Sequence, residues 1–377
     1  MATGVLGVSR AQVLAYRFQA QQLDRSAVAL GDLAVFDIGV QDAATYPAEL
    51  AFAARLPEPP PADAYGPGKT LALTWSLRGA PYVHRRRDLD RIAAALWPLS
   101  EADAAGRLNE TGPSVARAGI PALEQLALCV DAMHAVVAAP TAKGAASTAA
   151  TQRIPAPLRR DCRPCGTRHI SDSAMRSAAL AAGLEIEPGT APPVLLPRPK
   201  AKQARTPNLA ALGGLAAAYL ALLGPAGDGD VADYLGVRRA DLASAWPASL
   251  VEVRVDGRSA WIPADRVEAL QDAAPPDGVR LLGPFDPYLQ ARDRALLVPD
   301  TAWHKPLWPV LGRPGVVLVD GEVAGVWRPR AAGAKLTLKV EAFVPLSPRA
   351  WQQLDAEAER VAQVRGASSV AVARGGA

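Results

Sequence analysis

The stretch 206–263 constrains this chain more than any other. Thr206-Pro207-Asn208 opens a long apolar run from Leu209 to Leu223, and Gly224-Pro225 closes it. Proline near the start and Gly-Pro just past the end are the punctuation of a helix. A second segment, Asp230 to Leu235, stops at Gly236, and a third begins at Arg238-Arg239 and runs through Asp241, Leu242 and Ala245 to Trp246. Leu250 to Ile262 then alternates apolar and polar residues on both sides of Asp256-Gly257, the pair that favours the tight type I′ turn between antiparallel strands. Helix, helix, basic third helix and hairpin is the order of a winged helix, whose third helix can enter the major groove of DNA while the hairpin lies along the backbone. Duplex DNA is the expected partner.

A chain of 377 residues, 50% of them hydrophobic, has room for two or three cores. No apolar run reaches the roughly 18 to 20 uncharged residues of a membrane span. Met1 to Arg10 also lacks a basic stretch followed by an apolar core and a small-residue cleavage site. A cytoplasmic, nucleoid-associated protein with no membrane partner is therefore expected. A net charge of +4 says little in a chain of this size. Its distribution says more: Arg85-Arg86-Arg87, Arg159-Arg160, Arg163, Arg168, the run from Arg198 to Arg205, and Arg238-Arg239 are local basic clusters. Solvated surface charge is the alternative for each.

From the start of the chain, Ser9-Arg10-Ala11-Gln12 has the form of a capping box and predicts a helix to about Asp24. Ala27 to Val40 is apolar and leads into Gln41-Asp42, polar groups that are costly to bury unless backbone partners or a cleft receive them. Ala48 to Leu56 reads as a helix and Pro57 to Pro67 as a loop. Lys69 to His84 reads as two strands broken near Gly79, a second candidate wing. Arg78, His84, Arg85 and Arg86 gather there as candidate phosphate contacts, joined by Arg238, Arg239 and Arg258 of the first stretch. An edge hairpin with snorkelling arginines is the alternative.

Gly119 to Ala138 predicts another helix, and Thr141 is a plausible N-cap for a short one through the Ala-rich segment to Gln152. These would supply helices for a third winged-helix-like unit. Cys162-x-x-Cys165 with His169 four residues further on is three quarters of a zinc site. With no fourth ligand nearby, a packed basic loop is favoured and no metal is assigned. Three cysteines in all do not make a disulfide framework. The last third reads as short strands: Val279 to Leu282, Leu296 to Val298, a hairpin from Val316 to Trp327 around Asp320-Gly321, and Lys335 to Phe343. A helix from Trp351 to Val364 and a frayed tail from Arg374 to Ala377 follow.

Gly39-Val40-Gln41 before Arg55-Leu56, Thr74 to Gly79 with His84, Cys162 to His169, Pro284-Phe285-Asp286-Pro287, Arg292-Asp293-Arg294, and Val319-Asp320-Gly321 with Gly325-Val326-Trp327 follow one another along the chain. This set, in this order, resembles the AlkZ/YcaQ family of bacterial DNA glycosylases. The resemblance implies an α+β chain: three tandem winged-helix units (1–115, 116–205 and 206–275) and a β-rich C-terminal domain (276–377), C-shaped around a DNA channel. It implies a monomer without cofactor that excises purines alkylated at N7 or N3, including bulky genotoxin adducts and interstrand cross-links. The role would be self-resistance or base excision repair.

The family motif is Gln-x-Gln or Gln-x-Asp. Gln41 matches its first position, but Ala43 occupies the second and the carboxylate sits at Asp42. Asp42 is the expected catalytic carboxylate and Gln41 its orienting partner, provided the chain bends at Gly39. No lysine stands beside the pair, so a monofunctional enzyme is expected rather than a Schiff-base lyase. The alternative is a winged-helix protein that binds DNA without cleaving it, as a regulator or a drug-resistance binder.

Overall fold

The computed structural model describes residues 5–26, 29–109 and 117–376. The start of the Ala27–Val40 segment, the boundary drawn at 115/116 and Ala377 lie outside the described residues. The chain is α+β and divides into two compact units. One comprises Met1–Ala64, Ala217–Val231 and Ala248–Ala377; the other comprises Tyr65–Ala216 and Ala232–Pro247. Among the described residues no helix is long and apolar enough to cross a membrane.

In the first unit the capping box forms as read: the Ser9 hydroxyl accepts from the Gln12 amide, and the Gln12 side chain accepts from the Ser9 N–H at 3.0 Å. The helix Arg10–Ala20 that follows is shorter than the reading to Asp24, because Gln22 sits at φ 58°, a left-handed conformation that ends it. Leu6–Val8 pairs in parallel with Leu250–Val255, which turns at Asp256-Gly257 into Arg258–Pro263. Both turn residues have positive φ, 45° and 83°, as a type I′ turn demands.

A five-stranded sheet runs in chain order through Val279–Leu282, Gly315–Val319, Glu322–Ala332, Lys335–Ala342 and Ser369–Gly376. Its last strand is parallel to Lys335–Ala342 and reached through the helix Pro348–Val364. The segment expected to fray from Arg374 is instead part of that strand, whose N–H and C=O groups pair with an otherwise open sheet edge. Leu296 to Val298, expected as strand, lies in or next to a helical turn, Arg294–Leu297; a run this short carries no periodicity to separate the two. The fully buried Trp327 anchors the sheet, its Nε1–H donating to the Leu282 carbonyl at 3.0 Å.

The second unit places antiparallel strands in the order Pro81–Arg85, Leu71–Trp75, Leu184–Ile186, Val194–Pro197 and Thr141–Ala142. The break near Gly79 is a tight turn with Arg78 at φ 54° and Gly79 at φ 67°. Helices Ala122–Val136, Lys143–Arg153 and Asp172–Ala179 belong to the same unit. The short helix exists, but Thr141 does not cap it: Thr141 is paired with Leu195, and the N-cap is Ala142 with no side-chain bond. The basic third helix of the 206–263 stretch is also shorter than read. It is one α-turn, Arg239–Leu242, followed by the 3-10 turn Ala243–Ala245. Trp246 is extended at ψ 129°, the conformation that the following Pro247 imposes on its predecessor.

Candidate active site

Gln41 ends the two-residue strand Val40–Gln41, and Gly39 before it sits at φ 81°. Only glycine adopts that conformation without strain, so the chain bends at Gly39. The chain then turns back on itself. Tyr46 N–H donates to the Ala43 carbonyl at 2.9 Å, and the Asp42 Oδ1 accepts the Ala48 N–H at 3.0 Å just before the helix Glu49–Arg55 begins. Asp42 thereby supplies an acceptor for one of the donors that a helix start leaves unsatisfied. Its side chain is half-buried.

Beside Gln41 is a cavity of about 10 Å³, lined by Gln41, Tyr46, Ala48, Gly283, Phe285 and Asp286 among others. That volume sits at the lower bound for a single water. Its walls are fixed. Tyr46 packs edge-on to Trp327 at 5.1 Å, and its hydroxyl donates to the Trp327 carbonyl while accepting the Gly315 N–H. Gln290, 8% exposed, directs its Nε2–H at both the Gln41 Oε1 and the Phe285 carbonyl at 3.4 Å, long contacts that limit rotation of the amides more than they bind.

Beneath lies an ion pair with no exposed surface. Arg55 Nη1 and Nη2 each donate to one oxygen of Asp286 at 2.8 Å, in the two-point geometry that suits a guanidinium. Arg55 also donates to the carbonyl of Ala51 and to the Gln21 side chain, and Asp286 accepts the Tyr288 N–H. A second pair, Arg17 and Asp293, is built alike, with Arg17 donating further to the carbonyls of Gly224 and Pro225. The Arg55-Leu56 and Pro-Phe-Asp-Pro motifs are thus joined by the Arg55–Asp286 pair, while the Arg-Asp-Arg motif is tied through Asp293 to Arg17. Neither Gln290 nor the pairing of Arg55 with Asp286 was legible beforehand, since the paired residues lie 231 positions apart.

The candidate DNA contacts fall into different environments. Arg258, at the turn of its hairpin, and Arg238 and Arg239 are exposed. Arg78 donates to the Tyr234 carbonyl and the Tyr82 hydroxyl and lies over the Tyr234 ring at 5.3 Å. Arg86 is tied to the carbonyls of Lys69 and Gly66 and paired with Glu185, so it braces the preceding loop. Arg85 is half-buried with Asp88 at 4.0 Å.

His84 departs from the reading as a phosphate contact. It is 1% exposed, its Nε2 meets the Ser76 hydroxyl at 2.9 Å, and it stacks on Tyr82. Burial, aided by the Arg91 charge, lowers its pKa to about 3. A neutral, enclosed ring has no charge to offer a phosphate.

Cys162, Cys165 and His169, read as a packed loop, lie together on a two-stranded hairpin, Arg160–Cys162 paired with Thr167–His169.

A family model described as "DNA glycosylase AlkZ-like" matches residues 30–364. Over 89 residues the chain is 37% identical to the interstrand DNA cross-link repair glycosylase of Streptomyces sahachiroi, a segment spanning 21% of this chain and 22% of that relative. The solved structure of Streptomyces sahachiroi DNA glycosylase AlkZ shares the fold, with a TM-score of 0.76 over 98% of this chain and 100% of that one at 22% identity. The α+β architecture and the match over most of the length agree, and this chain belongs to the AlkZ-like family of DNA glycosylases.

Proposed function

We propose that this protein is a monofunctional glycosylase that hydrolyses the N-glycosidic bond of N7- or N3-alkylated purines in duplex DNA, including bulky genotoxin adducts and interstrand cross-links. The observation that carries the reading is the water-sized cavity beside Gln41, lined by side chains that are themselves tied down. Alkylation at N7 makes the purine cationic and a good leaving group. The protein then has to hold one water and stabilise an oxocarbenium-like sugar rather than supply a strong acid. The Gln41 amide oxygen accepts a hydrogen bond from that water and aims it at the anomeric carbon. The Asp42 carboxylate, one residue on, stabilises the developing positive charge. Arg238, Arg239 and Arg258 offer exposed charge for phosphates, and the helix–helix–turn–hairpin order of 209–263 supports the winged-helix reading of that stretch.

The test is release of base from duplex DNA carrying N7-methylguanine or a bulkier N7 adduct. Asp42→Asn keeps an oxygen for the Ala48 N–H while removing the charge. It is expected to lower the rate by about 10²-fold or more with DNA affinity intact, and Gln41→Ala is expected to do likewise. Full activity in both variants would exclude these roles.

A second reading, a DNA-binding protein without hydrolytic activity, is favoured by one observation: Ala43 stands where the family motif has its second polar residue. No release by the wild type from any such substrate, with salt-sensitive binding retained, would select it.

A further inference from the structure

We propose that Cys162, Cys165 and His169 form a binding site for one zinc ion, with three protein ligands and a fourth position occupied by water. The two thiol sulfurs and a ring nitrogen lie within 4.8 Å of one another. A tetrahedral ion with Zn–S of about 2.3 Å and Zn–N of about 2.0 Å spaces its donors roughly 3.5 to 3.8 Å apart. Closing the site therefore requires no pair to approach by more than about 1.3 Å, within reach of side-chain rotation on a surface turn.

Three further observations favour a ligand set over a chance cluster. His169 Nδ1 lies 2.6 Å from the Ile170 carbonyl. A carbonyl can only accept, so Nδ1 carries a proton, and in the neutral ring Nε2 keeps its lone pair. This is the outer-shell bond that fixes the tautomer and ring orientation of metal-binding histidines. Nε2 itself is shielded from solvent and has no hydrogen-bond partner among the described residues. The turn Cys162-Arg163-Pro164-Cys165-Gly166 brings the Cys165 sulfur back toward the Cys162 sulfur. Gly166 at φ 61°, with open space where a Cβ would stand, lets the chain wrap around that sulfur.

The hairpin also lacks what would otherwise hold it. It has two strands of three residues, and from Asp161 to Arg168 every residue except the half-buried Cys162 is exposed. An isolated two-stranded hairpin is marginal in water. A metal joining the turn to the end of the second strand would replace the missing core. Among the described residues no fourth donor joins the cluster, which leaves that position to solvent.

The experiment is elemental analysis of the full chain, purified and reconstituted with zinc under reducing conditions, alongside cobalt substitution read by visible absorption. About one zinc per chain is expected, with intense thiolate-to-cobalt and tetrahedral cobalt bands. Cys162→Ser, Cys165→Ser and His169→Ala are each expected to weaken zinc retention against a chelator by about tenfold or more. The buried Cys129→Ser is expected to leave it unchanged. Circular dichroism confirms that each variant is folded. Reduced, folded protein that takes up no zinc would overturn the proposal. So would zinc retained equally by all three variants, or a stable Cys162–Cys165 disulfide that survives the reducing conditions.

Discussion

Beneath Gln41, Arg55 and Asp286 have 0% exposed side chains, whereas Arg168 and Asp161 of the Cys162 hairpin are 58% and 87% exposed and 3.5 Å apart. Both are Arg–Asp pairs, but they do different work. In the first, both charges are out of water and every Arg55 N–H except that of Nε is paired within the protein, so the geometry is specified and the surrounding backbone is held with it. In the second, water competes at every moment and the pair specifies little. A water-positioning site needs the first kind of support. A hairpin resting on the second kind needs an additional link if its turn is to hold one shape.

The sharpest way to break this contrast is Asp286→Ala. It strands the buried Arg55 charge, and equilibrium urea unfolding should show a loss of about 3–5 kcal/mol. A loss below about 1 kcal/mol would mean that the pair does not organise its surroundings.

His84, in the unit that carries the exposed hairpin, sharpens the contrast, because it is a buried polar group whose charged form is disfavoured by burial and by the Arg91 charge. The unfolded chain takes up its proton near the ordinary value of 6.5, and the folded chain only near about 3. The folded state therefore binds fewer protons in that window, and stability falls as pH drops from about 6.5 toward 3. His84 contributes up to about 1.4 kcal/mol per pH unit. Denaturation midpoints of wild type and His84→Gln between pH 7 and pH 4 check this; parallel curves would show that the ring titrates normally.

The smallest effect belongs to Asp161→Asn, which should change stability by less than about 0.5 kcal/mol, and by nothing measurable in high salt. A change above about 1 kcal/mol would place the exposed pair in the same class as the buried one.

What was legible in the sequence was local. Ser9 and Gln12 announce their own capping box, and Asp256-Gly257 and Asp320-Gly321 announce their turns, because each signal lies within a few residues of the structure it causes. Gln41 and Asp42 could be singled out as polar residues ending an apolar run, but the support beneath them could not. Nothing near Arg55 indicates that its partner is Asp286, and nothing near Gln41 indicates Gln290. The strand Ser369–Gly376 was missed for the same reason: its identity comes from the edge it completes, not from its own composition. Thr141 was misjudged because a hydroxyl that suits a cap equally suits a strand, and pairing with Leu195 decided the matter.

Arg360, on the helix Pro348–Val364, donates to the carbonyls of Ala53, Leu56 and Pro57 at the end of the helix that follows Asp42. A nonsense mutation shortly before codon 360 would leave Gln41 and Asp42 translated intact, yet the carbonyls closing the Glu49–Arg55 helix would lose their donor. Loss of function in such an allele would not identify the C-terminal segment as a DNA-contacting element. Complementation by Arg360→Lys and Arg360→Met alleles would separate the loss of this clasp from the loss of the segment as a whole.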